Sequence, residues 1–139
     1  MPKEPNVDPV TPFVGVTTAS GQTGRYLVRE FARRGIRVRG LVRSTRAADA
    51  AREAGAFETA QADLADRESM AAALAGLDLL VFIAPPFDGR EDAHAADALA
   101  VAGGQGVGHF VYYSVLHPSF RGVPHHRRKL DVETQVKDS

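Results

Sequence analysis

The strongest constraint on this chain is a change of hydrophobic period that repeats along its length. Short apolar runs alternate with stretches whose apolar residues recur at helical spacing, and glycines stand at many of the joins. Residues 13–18 form an apolar run that ends in a glycine-bearing turn, which reads as a buried strand. A helix follows over 23–34, with Leu27, Val28 and Phe31 on its apolar face and Gly35 to stop it. Residues 37–43 make a second strand with Val38 and Val42 on one side, and Ser44 is placed to cap a helix over 45–54 that Gly55 ends. A short third strand over 57–60 precedes Asp66, the expected cap of a helix over 67–75 that buries Met70 and Leu74 and closes at Gly76. Residues 77–84 are nearly all apolar, the pattern of a strand buried on both faces of a parallel sheet. An alanine-rich helix over 91–102, a glycine-rich loop, a fifth strand over 109–115 and a polar helix over 125–137 complete the series. In that last helix Leu130, Val132 and Val136 are the expected packing residues.

Such alternation predicts an α/β fold, a doubly wound parallel sheet of Rossmann type with strand order 3-2-1-4-5 and helices on both faces. Ligands of such sheets sit where the strand order reverses, beyond the carboxyl ends of strands one and four. A length of 139 residues suits one domain. The expected division is a flexible proline-rich tail over 1–12, where Pro2, Pro5, Pro9 and Pro12 block a helix, and a single domain over 13–139. The longest apolar run, 79–84, falls far short of the ~20 residues that a bilayer crossing requires. No signal-peptide core precedes it. With 17 basic and 17 acidic residues the net charge is zero, which argues against direct nucleic-acid binding. The absence of cysteine excludes disulfides, thiolate metal sites and cysteine nucleophiles, and suits a cytoplasmic setting.

The first strand–helix turn reads Thr18-Ala19-Ser20-Gly21-Gln22-Thr23-Gly24. A helix N-terminus there presents unpaired N–H groups and partial positive charge, which suits a phosphate. Gly21 lets backbone approach a pyrophosphate, Gly24 lets the helix pack closely on the sheet, and Ser20, Gln22 and Thr23 can add donors. The plainer reading is a tight turn that needs small residues and no ligand. Its place between a strand and a helix favours the ligand.

These residues carry a family resemblance. Residues 16–44 resemble the opening of the NmrA-like proteins, atypical short-chain dehydrogenase/reductases, and Ala19, Gly21 and Gly24 match the family's glycine motif. Ala62 to Asp66, Ile83-Ala84-Pro85-Pro86, Tyr113 to Pro118 and His125 to Glu133 match as well. The resemblance implies a fold that binds NADP or NAD, in members that are either reductases of quinones, dyes or small carbonyl compounds or redox sensors that bind a regulatory partner. Thr18 stands where the family has its first glycine. If that position is left-handed, a β-branched residue costs ~1–2 kcal/mol there. The family also continues for about as many residues again, which implies a chain truncated after the helix that follows strand five. Strand five is then expected to present an unpaired apolar edge, open to self-association.

An acid at the end of strand two usually marks NAD. Arg43 stands there instead, with Arg46 one helical turn on, and a guanidinium pairs well with a 2′-phosphate. A solvated arginine is the alternative. NADP is therefore expected over NAD. By resemblance Asp63 contacts the adenine amino group, though it also reads as a turn aspartate. By fold position Ala84 and Pro85 line the route from adenosine ribose to nicotinamide.

Short-chain dehydrogenases place a serine after strand five and then a tyrosine and lysine four apart on the next helix. Ser114 and Lys129 fit, with Lys129 expected to hold the nicotinamide ribose, but His125 takes the tyrosine position. Surface or packing roles remain open for each of the three, and at least one of Tyr112 and Tyr113 is expected to pack in the core. His125 and His126 diverge on a helix, so no metal site is expected. The reading is an NADP(H)-binding module that senses the nucleotide or redox state. The alternatives are an NADPH-dependent reductase of a small quinone or carbonyl compound, and a degraded relative. The expected partners are a dinucleotide and a small-molecule substrate or a protein.

Overall fold

The computed structural model describes residues 11–115, 118–119 and 122–139. Most of the expected tail, 1–10, lies outside the described residues, as do Leu116 and His117 of the family-like segment. Five strands, β1 (Val14–Val16), β2 (Val38–Val42), β3 (Glu58–Gln61), β4 (Leu79–Phe82) and β5 (His109–Tyr112), alternate with five helices. These are α1 (Gln22–Arg33), α2 (Thr45–Ala54), α3 (Arg67–Leu74), α4 (Glu91–Gly104) and α5 (Pro124–Lys137). The strands form one parallel sheet of order β3-β2-β1-β4-β5, the order expected from the sequence. Val14 lies between Val38 and Leu79, which puts the reversal of strand order between β1 and β4.

Local chemistry sets the element ends. The Ser44 hydroxyl accepts from Ala47 N–H at the start of α2, and the Asp66 carboxylate accepts from Glu68 and Ser69 N–H at the start of α3. Gly55 takes the left-handed conformation that ends α2, with φ of 114°. The strands are shorter than the apolar runs because the run ends continue into the turns that carry the site.

Alternation along each strand divides the core in two. Val14 and Val16 of β1, Val38 and Val42 of β2, and Val81 of β4 face α1 and α2, with Val28, Ala48, Ala51 and Ala54. Leu41, Leu80 and Phe82 face α3, α4 and α5, with Met70, Leu74, Ala95, Ala98, Ala102 and Val132. Alanines on α4 allow that helix a close approach to its neighbours. One expected packing residue of α5 is displaced: Val132 is fully buried and Val136 packs behind it, but Leu130 is exposed. Two residues correspond to about 200° around a helix, so Leu130 and Val132 cannot share a face.

Among the described residues β5 is a sheet edge, paired with β4 alone. Phe110 and Tyr112 turn inward onto Phe82, with ring centres 6.0 and 6.2 Å away. Val111 and Tyr113 face the other way and are 46% and 50% exposed. The expectation that at least one of the two tyrosines packs in the core is met by Tyr112.

Candidate functional site

The turn between β1 and α1 is held from two sides. Thr18 is left-handed, with φ of 51°, so the position does require the conformation that glycine favours. Its hydroxyl donates to the Ile83 carbonyl at 2.6 Å. Thr17, buried beside it, donates to the same carbonyl at 2.8 Å and accepts from Ile83 N–H at 2.7 Å. Two hydroxyls thus join the end of β1 to the end of β4 where the ladder stops. On the helix side, a Cβ at Gly24 would stand 2.2 Å from the Thr18 carbonyl oxygen and 2.8 Å from Ala19 Cα, so only glycine fits. Gly21 precedes the first helical residue, Gln22. No side chain caps α1, and its first turn holds no acid to fill or repel at its positive end.

A cleft of about 860 Å³ opens at this edge of the sheet. Among the expected ligand residues, Thr18, Ser20, Arg43, Asp63 and Pro85 line it. Ala19, Gly21, Gln22, Thr23 and Gly24 build the turn and helix start beside it, with Ala19 and Gly24 buried. Arg46 is exposed on the first turn of α2 and, like Ala84, does not line the cleft. The Arg43 side chain is exposed and has no ion-pair partner among the described residues. Asp63 meets the turn-aspartate reading. One carboxylate oxygen accepts from Ala65 N–H at 2.9 Å, which fixes the turn, and the residue still faces the cleft. Thr17, Gln61 and Ser69, which were not singled out in the sequence, also line the cleft, as does Pro86 of the family-like run 83–86. The signal for Gln61 was its place at the end of a strand next to β2. Ser69 is reachable only through the fold, since its hydroxyl accepts from Asp63 N–H at 3.0 Å.

The residues expected to act on the nicotinamide side lie just after β5 and along α5. Ser114 follows β5, and its buried Oγ has no hydrogen-bond partner among the described residues. His125, in the first turn of α5, packs edge-on against Phe87 at 5.6 Å between ring centres. Phe87 lies in the loop after Pro86, 87% exposed, in a left-handed conformation with φ of 55°. That loop is pinned by Asp88, which accepts from Arg90 N–H and meets His94 Nδ1 at 2.6 Å. Burial raises the Asp88 carboxyl, but the Arg90 and His94 bonds outweigh it, and the group titrates below its ordinary value. Lys129 is held by Glu91 at 2.6 Å, and the Tyr112 hydroxyl donates to the same carboxylate oxygen. Burial, the bond to Glu91 and its negative charge push the Tyr112 phenol far above its ordinary range. No hydrogen bond joins Ser114, His125 and Lys129 to one another among the described residues. No group of residues that would hold a metal is found among them either.

Comparison with known proteins adds the following. The model of the NmrA-like family matches residues 11–139. No curated protein matches the chain. The fold is similar to that of the triphenylmethane reductase of Citrobacter sp. complexed with NADP(H), with 25% identity, a TM-score of 0.77, and 90% of this chain and 45% of that one covered. It is similar to the NADPH-dependent quinone oxidoreductase of Escherichia coli complexed with NADPH, with 25% identity, a TM-score of 0.78, and 90% and 44% covered. It is also similar to NmrA, a negative transcriptional regulator, with 25% identity, a TM-score of 0.77, and 92% and 42% covered. The chain thus spans less than half the length of each of these structures.

Proposed function

The chain belongs to the NmrA-like family, and from that premise we propose that it is a dinucleotide-binding module that takes NADP(H) in preference to NAD(H). The observation that carries this reading is Arg43. It stands at the end of β2, on the lip of the cleft, where an acid would favour a free ribose hydroxyl. The cleft fits the nucleotide in three further respects: an uncapped helix start without acids, a turn that Gly24 keeps flush with α1, and polar lining from Ser20, Asp63 and Ser69. In this role Ser20 and the turn hold the pyrophosphate, Arg43 the 2′-phosphate and Asp63 the adenine. The nucleotide, when bound, supplies hydride chemistry or a redox signal. NADP(H) in solved relatives supports the choice.

The module senses rather than turns over, since Lys129 is engaged by Glu91 and His125 faces Phe87. A regulatory protein partner and a cytoplasmic location, where this nucleotide pool is found, are part of the reading. The second reading, an NADPH-dependent reductase of a small quinone or carbonyl compound, is favoured by Ser114, whose buried hydroxyl has no partner among the described residues.

Calorimetric titration with NADPH and NADH tests the proposal. NADPH binds more tightly, and Arg43→Ala removes most of the difference. A charge-assisted bond contributes roughly 1.5–3 kcal/mol, about ten- to a hundredfold in affinity. Equal affinities in the unmutated chain would sink it.

A further inference from the structure

Glu91 is the most deeply buried charged residue among those described, 3% exposed. A buried carboxylate is tolerated only where other groups compensate its charge. Here Lys129 Nζ lies 2.6 Å away, the Tyr112 hydroxyl donates to the same oxygen, and the ammonium rests 5.5 Å from the centre of the Tyr112 ring. The Lys129 side chain is only 14% exposed, unusual for a residue whose ammonium normally seeks water. Three elements, α4, α5 and β5, thus meet on one carboxylate.

The position of this cluster gives it a bearing on ligand binding. Pro85 and Pro86 wall the cleft, and Glu91 opens α4 directly after the short loop that follows them. His125, one turn before Lys129 on α5, packs on Phe87 of that loop. The loop that borders the cleft therefore leads into the carboxylate that holds Lys129. A lysine ammonium is a point charge on a long flexible stem, and it settles on the nearest anion. That anion is Glu91.

We infer that Glu91 is a positioning residue that withholds Lys129 from the nucleotide, keeping its ammonium in the seam between α4 and α5. The inference rests on the nucleotide reading above and deepens it, by giving a physical means for a chain that carries Lys129 to bind without using it. Removing the Glu91 charge frees the ammonium for an anionic ligand.

The test compares two ligands, NADPH and 2′,5′-ADP, which lacks the nicotinamide half. Each is titrated into the full chain, Glu91→Gln, and Glu91→Gln combined with Lys129→Met, with circular dichroism to check folding. Glu91→Gln gains about tenfold in NADPH affinity, the scale of one charge-assisted contact. The double variant returns to the unmutated value, and 2′,5′-ADP binds all three proteins alike. An unchanged or weakened NADPH affinity in Glu91→Gln overturns the inference. So does a gain that survives loss of the lysine, which would reflect general charge alone. If 2′,5′-ADP binds while NADPH ignores Glu91, only this inference falls. If neither ligand binds any of the proteins, the nucleotide reading falls with it. Should Glu91→Gln fail to fold, acetylation of the unmutated chain decides. Lys129 reacts more slowly than Lys137, and saturating NADPH leaves its rate unchanged. A rate that shifts with NADPH means that the ammonium has moved to the ligand, and overturns the inference.

Discussion

At Thr18 two preferences oppose each other. Its left-handed backbone costs a β-branched residue ~1–2 kcal/mol. Its hydroxyl recovers ~0.5–1.5 kcal/mol through the bond to the Ile83 carbonyl. Thr18→Gly therefore changes stability by less than about 1 kcal/mol, because relief of strain offsets the lost bond. Thr18→Val keeps the strain without the bond and destabilises by ~0.5–1.5 kcal/mol. Thermal melting of both variants beside the unmutated chain checks this: a Val variant as stable as the unmutated chain would show that the bond contributes nothing, and one as stable as the Gly variant that the strain costs nothing. The departure from glycine was legible in the sequence. The destination of the hydroxyl was not, since Ile83 lies 65 residues away and only the β1–β4 pairing brings it near. The basic residues in and just before β2 had the same limit. Arg39 bonds Glu58 and the carbonyls of Ala73 and Ala75 at the end of α3, and Arg37 lies over the rings of Phe13 and Phe57. From sequence alone they were merely basic neighbours of Arg43.

Elements were legible where period and caps agree. Ser44 and Asp66 marked two helix starts, and the alanine-rich run over 91–102 marked α4. What joins α4, α5 and β5 was not legible, because Glu91 looks like an ordinary acid in the first turn of a helix. Its contacts with Tyr112 and Lys129 span 21 and 38 residues. This junction gives the fold an alkaline limit. Tyr112 stays neutral in the folded chain well above the ordinary phenol value of 10.0. A raised value means that its stabilisation is complete below about pH 10, where the unfolded phenol is also neutral, and is lost as pH rises beyond it. The slope is at most about 1.4 kcal/mol per pH unit, less what solvent screening removes. Denaturant titrations between pH 9 and 11 show this loss in the unmutated chain and a flatter profile in Tyr112→Phe. Identical slopes would mean that Tyr112 does not couple folding to pH.

For the whole molecule, the α/β alternation gave the parallel doubly wound sheet, because parallel strands joined by helices leave few topologies open, and the expected order 3-2-1-4-5 is the one found. The outer surface of β5 is less settled. Val111 and Tyr113 stand exposed on an edge strand that has no second partner among the described residues. Unpaired apolar edges attract other chains. The 139-residue chain is therefore expected to sediment as a concentration-dependent oligomer, and Tyr113→Lys to shift it toward monomer. A monomer at all concentrations would contradict this. A different consequence follows from how α5 is attached. Of its residues only Val132 is fully buried, and the Glu91–Lys129 pair supplies its main polar anchor. Helices held at so few points open as units while the rest of a domain stays folded. Amide hydrogens of α5 should then exchange with solvent together, ahead of those of the central strands and at a rate set by one anchor, so that the chain carries a hinged flap rather than a uniformly rigid wall.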